Sequence, residues 1–497
     1  MERRLLVVLL LTTLLTTATA SNPPGTLSQD AWIAVSKSVI GKTTQYIGAT
    51  EGGFFDIDDL ADCGITTYRI WIGMSDVEYC DDNDPRGYDW GCDQTGNTQY
   101  GLPISDTIKA DPDTIDWEGW DVHINDPSYR WRTGYNPDTA LGDMVGLLME
   151  KNILPVLCLR NRDQFDWPDW APEPAFDEDA VNEWWQYCFA VAYWFNVRHD
   201  LGVTHFEIHN EPDLSAQGWH GSQAQYVTLI QVARDAIRAA NDIAGINTVI
   251  LAPVESQSPF PRTYSYFAGV FDDADTEIDA ADFHWYHMNG TYPLSDLDAA
   301  IDDVATQLAA HNPDGVLEPL WVSEFGNFSS PCKYDTIDEA LLTARQLLLF
   351  SREGVQGVHI FPFYDWGTTC GLVNGNGSKT ETYYAYRLMA RALAGGKDRL
   401  DVAVAGLGDD VMVTRDFHNI YVIVFDGDGT IDVDLSAVGV DVGTATIREY
   451  SSTRKDEIVG TATISSGRFS FAAPSAGVTV VEIPFTITYL PVIASEG

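Results

Sequence analysis

A rhythm of strand followed by helix runs through most of this chain and limits its possible folds more than any other feature. Short apolar runs at Gln45–Ala49, Thr66–Ile72, Leu154–Leu159, Thr204–His209, Thr248–Val254, Ala281–Tyr286, Pro319–Ser323 and Val355–Phe361 have the character of strands. Amphipathic stretches lie between them, at Thr139–Glu150, Gln223–Ala240, Leu297–Ala310, Thr336–Glu353 and Thr382–Ala394. In the clearest helix, Val181, Trp184, Trp185, Cys188, Val191, Ala192 and Phe195 recur at helical spacing. Strands regularly followed by helices pair in parallel through right-handed crossovers. Repeated around the chain, the pattern predicts an α/β fold, a closed (β/α)8 TIM barrel rather than an open sheet.

Two regions break the rhythm. The stretch from about residue 73 to 137 is rich in Asp, Gly, Trp and Tyr and far exceeds a usual strand-to-helix loop. It follows the second strand, so it belongs at the rim where barrels do chemistry, as a substrate-binding lid or a stapled surface insertion. From Asp398 the pattern changes to short β-type runs at Val411–Thr414, Ile420–Val424, Ile431–Leu435, Ala445–Tyr450 and Val478–Ile483. They predict a C-terminal antiparallel β-sandwich over 398–485 and a tail at 486–497, after a barrel expected at 21–397. The acidic Asp426–Asp434 stretch lacks the terminal Glu of a calcium loop and is expected to be a hairpin turn.

At the N-terminus, Arg3 and Arg4 precede an apolar run from Leu5 to Leu15, and Ala18-Thr19-Ala20 offers small residues for cleavage. The run is short for a bilayer span, so residues 1–20 are expected to be a removed signal peptide, with export and no stable membrane insertion. The chain carries 73 Asp and Glu against 29 Lys and Arg, a formal charge of −44. Such a surface repels phosphate backbones and argues against a nucleic-acid partner. Salt would screen its self-repulsion, so a halophilic source is expected. Seven cysteines are too few for a disulfide scaffold. Cys80 with Cys92 and Cys332 with Cys370 are candidate pairs, while Cys63, Cys158 and Cys188 sit in apolar, core-like contexts.

Chemistry concentrates at two strand ends. In His205-Phe-Glu-Ile-His-Asn-Glu-Pro212, strand alternation puts Phe206 and Ile208 on one face and Glu207, His209 and Glu211 on the other. Asn210 and Glu211 are neighbours, so they serve one pocket only if the strand end twists or bulges. The second motif, Pro319-Leu-Trp-Val-Ser-Glu-Phe-Gly326, ends the seventh strand with Glu324. The fourth and seventh strands of a barrel lie nearly opposite across its mouth. Two carboxyls facing each other there suit glycosidic cleavage: one protonates the leaving oxygen, the other attacks the anomeric carbon or activates water. No zinc-type His/Cys spacing, phosphate loop or serine elbow appears, so no metal or cofactor is expected.

The Asn210-Glu211-Pro212 and Trp321-Val-Ser-Glu324-Phe-Gly motifs resemble those of the clan of (β/α)8 retaining glycoside hydrolases with catalytic glutamates on strands four and seven. Their wording is nearest to glycoside hydrolase family 39, which is β-xylosidase-like, or to the cellulase-like family 5, and the resemblance spans roughly Gln45 to Leu393. It implies that Glu211 is the acid/base, Glu324 the nucleophile, and Asn210 a ligand of the sugar 2-hydroxyl. It implies Arg69 beside the nucleophile, and His284 and Tyr286, on one face of strand six, as partners of nucleophile or sugar. For the aromatic floor after strand eight, Phe363, Tyr364 and Trp366 are all eligible, with Trp366 favoured. Trp167 and Trp170 are either subsite walls or barrel-top packing. Asn289, Asn327 and Asn376 stand in glycosylation-type sequons.

The resemblance implies a secreted β-glycosidase of plant-type polysaccharide or its oligomers, working by double displacement with carboxyls about 5–5.5 Å apart. Other outcomes on the same scaffold are a transglycosylase or an α-iduronidase-like enzyme. A non-catalytic carbohydrate-binding or cell-surface barrel is the reading from another class.

Overall fold

A computed structural model describes residues 31–50, 56–73, 105–115, 117–124, 140–160, 178–214, 219, 221–256, 265–287, 293–327, 329, 331–365, 370–408 and 410–485. The predicted signal peptide, the tail at 486–497, Cys80, Cys92, Trp167, Trp170, Asn289 and Trp366 lie outside them.

The first described strand is β1 (Trp32–Lys42), and it does not join the barrel. The barrel closes from eight parallel strands in chain order: β2 (Tyr46–Thr50), β3 (Thr67–Gly73), β4 (Leu154–Arg160), β5 (His205–Ile208), β6 (Val249–Glu255), β7 (Ala280–His287), β8 (Leu320–Asn327) and β9 (Gly357–Ile360). Each falls on a run expected from the sequence. The connecting helices carry ordinary terminal signals. Ser222 and Gln225 form a reciprocal capping box ahead of Gln223–Ala244, satisfying donors that a helix start leaves open. That helix stops at Gly245, whose φ of 71° is cheap only for glycine.

The barrel interior is layered. At the amino-terminal ends of the strands, Val156, Leu251, Ala280 and Trp321 form a separate apolar cluster, with Tyr46 and Val249 packed on it. The Tyr46 ring stacks on Trp321 at 5.2 Å. Above this floor the filling turns polar: Arg69, Glu207, Asp282 and His359 are all buried. Gly48 marks one close approach, since a Cβ there would meet the His359 ring and the Thr67 backbone at 2.4 Å.

The remaining strands are β10 (Asp398–Ala405), β11 (Val411–Arg415), β12 (Asn419–Phe425), β13 (Gly429–Asp434), β14 (Val442–Ser451), β15 (Arg454–Ser465), β16 (Arg468–Ala473) and β17 (Gly477–Pro484). With β1 they make a second closed, mostly antiparallel nine-strand sheet in the order β1-β10-β11-β12-β17-β14-β15-β16-β13. β1 pairs antiparallel with β10 and parallel with β13. Residues 32–42, expected in the barrel, therefore belong to the sheet beside it. The expected hairpin at Asp426–Asp434 is also corrected: β12 pairs with β11 and β17, and β13 with β1 and β16, so the turn joins strands that are not partners.

This sheet packs on the barrel's last helices. Tyr421, Phe425, Tyr450 and Val480 share one apolar cluster with Leu348, Leu388 and Met389. Arg387 Nε donates to Asp456 Oδ2 at 2.6 Å, and Arg345 Nε to Asp410 Oδ2 at 2.8 Å, across the seam. Within the long insertion, helices Ser105–Ala110 and Trp117–Ile124 are packed, with Trp117 stacked on Tyr193 at 5.0 Å. That part of the insertion is structural. Cys332 and Cys370 are disulfide-bonded, while Cys63, Cys158 and Cys188 are buried free thiols. No helix among the described residues is long and apolar enough to cross a membrane.

Candidate active site

Irregular backbone at two strand ends builds the site. β5 ends at Ile208, and His209 still continues the ladder by donating its N–H to Leu159 O at 2.8 Å. His209 and Glu211 then adopt φ values of 66° and 45°, in the left-handed region that L-residues rarely enter. This turn points both Asn210 and Glu211 into the barrel mouth, which an extended strand forbids. Strained conformations of this kind concentrate at functional sites. Across the mouth, β8 carries an extra residue against β7: Val322 faces Phe283, yet Glu324 faces His284. The bulge at Ser323 re-aims its neighbours. Ser323 N–H donates to Asp282 Oδ1 at 3.0 Å, its Oγ lies 3.1 Å from His284 Nε2, and Glu324 turns inward.

The two strand ends meet on His284. Its Nδ1 lies 2.8 Å from Glu211 Oε1 and 3.6 Å from Glu324 Oε2. One oxygen of Glu211 and one of Glu324 are within 4.8 Å of each other. Tyr286 Oη donates to Glu324 Oε2, and Arg69 Nη1 donates to Glu324 Oε1 at 2.6 Å. Arg69 Nη2 donates to Asn210 Oδ1 at 2.7 Å. A guanidinium only donates, so this contact fixes the amide with its nitrogen turned the other way. Glu211, Glu324, Asn210, Arg69, His284 and Tyr286 thus converge on one place. Exposures of 7% at Glu211 and 4% at Glu324 leave the carboxyls reachable only from the mouth.

Burial alone would neutralise these groups, but their neighbours oppose it. Burial raises the Glu324 carboxyl, yet His284, Arg69 and Tyr286 outweigh it and hold the group below the usual range, so it stays ionised. Burial lowers the His284 imidazole, while Glu324 and Glu211 raise it further, to about 9. At neutral pH this ring is charged and lies between the Glu211 and Glu324 side chains. Burial also works against the Arg69 charge, and Glu207 with Glu324 more than restores it. By spacing, Glu211, His284 and Glu324 could surround an ion. Glu324 is already held there by Arg69 and Tyr286. An ionised carboxylate facing a proton-bearing pair is the arrangement this set presents.

Several contributors escaped the sequence reading. Glu207 anchors Arg69 from beneath, accepting from Nε at 2.7 Å. Its signal was an acidic residue in mid-strand, which a barrel interior tolerates only when paired. Asp282, pushed up to about 7 by burial and then by Glu207, holds the Ser323 bulge. Trp71 and Phe361 lie 5.7 Å apart at the mouth, with Arg160 over Trp71 at 4.9 Å and Tyr286 edge-on to Phe361 at 6.3 Å. Among the expected floor aromatics, Phe363 and Tyr364 are buried, and Tyr364 Oη bonds the Asp56 backbone. Asn327, in one of the sequons, is buried and donates to Glu339 Oε2 at 2.6 Å, so it is no glycan acceptor. Glu255, another carboxylate at a barrel strand end, instead accepts from Phe267 N–H at 3.1 Å at the start of the next helix.

Residues 174–386 match the family model described as the glycosyl hydrolase catalytic core. A search of the curated proteins found no match. Among solved structures, a glucosidase from Croceicoccus marinus is similar at 15% identity and a TM-score of 0.64, over 92% of this chain and 100% of that one. A monomeric beta-xylosidase from Caulobacter crescentus is similar at 12% identity and a TM-score of 0.61, over 92% and 99%. An alpha-L-arabinofuranosidase from Thermotoga maritima is similar at 12% identity and a TM-score of 0.59, over 92% and 100%. The resemblance to (β/α)8 glycoside hydrolases, and the TIM barrel with its β domain, are thereby borne out.

Proposed function

We propose that this protein is an exported retaining glycoside hydrolase that cleaves β-glycosidic bonds in plant-type polysaccharides or their oligomers, of xylan or β-glucan type. The observation that carries this reading is the closure of Glu211 and Glu324 on one imidazole, with oxygens within 4.8 Å. Inverting pairs stand roughly 6.5–9.5 Å apart to admit a water, whereas retaining pairs stand at about 5–5.5 Å.

In the first step, a Glu324 oxygen attacks the anomeric carbon as the bond to the leaving oxygen breaks. The proton held between Glu211 and His284 passes to that oxygen by way of Glu211. In the second step, water attacks the same carbon, gives its proton to Glu211, and releases Glu324 from the ester. Arg69 and Tyr286 keep Glu324 ionised and aimed. Asn210, its amide oriented by Arg69, donates to a sugar hydroxyl, and Trp71 and Phe361 offer apolar faces to the ring. The names of the similar structures, with the proposed β-linkage for the glucoside, set the substrate panel: aryl β-glucoside, β-xyloside and α-L-arabinofuranoside.

NMR of the first-formed sugar tests the reading. Retention of the substrate's anomeric configuration is expected, and inversion would overturn it. Binding without turnover across the panel would favour the carbohydrate-binding alternative. The N-terminal sequence of protein from culture medium tests export and cleavage after residue 20.

A further inference from the structure

Far from the catalytic mouth, where the barrel strands begin, three carboxylates converge. Asp275 lies in the short turn Asp275–Glu277 ahead of β7. Asp314 and Glu318 lie between helix Leu294–Ala310 and β8. One carboxylate oxygen from each is within 4.8 Å of the other two. Asp275 is 3% exposed and Glu318 8%, while Asp314 opens to solvent.

The polar accounting at this point does not close. Asp275 Oδ1 and Glu318 Oε2 are buried with no hydrogen-bond partner among the described residues. The other Asp275 oxygen accepts from Asp314 N–H at 3.1 Å, which draws the two segments together. Among the described residues, no Lys, Arg or His forms an ion pair with any of the three. The nearby arginines, Arg234 and Arg238, go instead to Asp279, at 3.6 and 3.9 Å. Besides burial, the charges that act on Glu318 are those of Asp275, Asp314 and Asp279. Two buried acceptors aimed into one cluster of like charge call for a cation.

We propose that Asp275, Asp314 and Glu318 bind a calcium ion that ties the turn before β7 to the segment before β8. Calcium takes six to eight oxygens at about 2.3–2.6 Å, so ligands on opposite sides stand up to roughly 5 Å apart. That spread matches the cluster. The solvent-facing side at Asp314 leaves room for water to complete the shell. Magnesium demands a tight octahedron at about 2.0–2.1 Å and gives up water reluctantly, which suits two buried carboxylates poorly. The ion sits at the amino-terminal rim, where barrels hold stability rather than chemistry. It stands independently of the proposed reaction.

Calorimetric titration of the full-length protein with calcium chloride tests this, after chelation and dialysis, at constant high KCl to screen diffuse attraction by the acidic surface. The wild type is expected to bind one more calcium than Asp314→Asn or Glu318→Gln, or the same number with one site at least tenfold tighter. Calcium should also raise the melting temperature of the wild type more than that of either variant. Asp314 is exposed, so its variant decides alone if Glu318→Gln does not fold. Equal stoichiometry, affinity and melting shift in wild type and Asp314→Asn would overturn the site. Equal tightness for magnesium would overturn its assignment to calcium.

Discussion

Arg69 Nη1 donates to Glu324 Oε1 at 2.6 Å, while Nε of the same guanidinium donates to Glu207 Oε2 at 2.7 Å. One buried cation therefore holds the candidate nucleophile and a carboxylate beneath it. Removing it strands Glu207 as an uncompensated charge. Arg69→Met is expected to destabilise the fold by about 3–5 kcal/mol, read by urea denaturation. Adding Glu207→Gln should recover a large part of that loss. Strict additivity of the two changes would show that the groups are not coupled.

Glu324→Ala is expected to lower kcat by roughly 10⁴-fold or more on every aryl glycoside that the wild type cleaves. Glu211→Ala should cost about 10²–10⁴-fold on poor leaving groups, and much less on activated ones that need no proton. Both variants should keep a cooperative melt. Wild-type turnover by Glu324→Ala would remove it as nucleophile.

The His284 imidazole titrates at about 9 in the folded protein, against roughly 6.5 when unfolded. A raised value means that its stabilising contribution is complete below the unfolded value and disappears as pH rises through about 9. The depressed Glu324 carboxyl behaves oppositely: its contribution is present above the unfolded value and lost as pH falls through the lower folded one. The wild-type melting temperature is therefore expected to fall more steeply from pH 6.5 to 10 than that of His284→Gln. Parallel curves would contradict the charge assigned to the ring.

A formal charge of −44 implies strong self-repulsion wherever counterions are scarce. The Debye length falls from about 10 Å at 0.1 M salt to about 3 Å at 1 M. Melting temperature and activity are expected to rise over that interval in KCl. A flat response would remove the expectation of a halophilic source.

The barrel strands and the positions of Glu211 and Glu324 were legible because each rests on local pattern: apolar runs, helical spacing and a carboxylate at a strand end. Even the irregular backbone at Asn210-Glu211 could be anticipated, since two adjacent side chains reach one pocket only by leaving the pleat. Contacts between distant segments were not legible. Glu207 became meaningful only beside Arg69, which lies 138 residues earlier. β15 hid because its strand, Arg454–Ser465, is mostly exposed and polar. The Asp426–Asp434 turn carried hairpin chemistry, but pairing across the closed sheet chose other neighbours for its strands.

β1 and β10 lie side by side, with Lys42 opposite Asp398 and Thr43 N–H donating to Lys397 O at 2.9 Å. The barrel is thus a long excursion threaded between two adjacent strands. During synthesis β1 emerges first and has no edge to join until the barrel sequence is finished. A fragment cut after residue 397 would carry β1 as an unmatched, self-adhesive strand, whereas one trimmed at both crossing points would have clean ends. The outer sheet can therefore close only after the whole barrel sequence has been made.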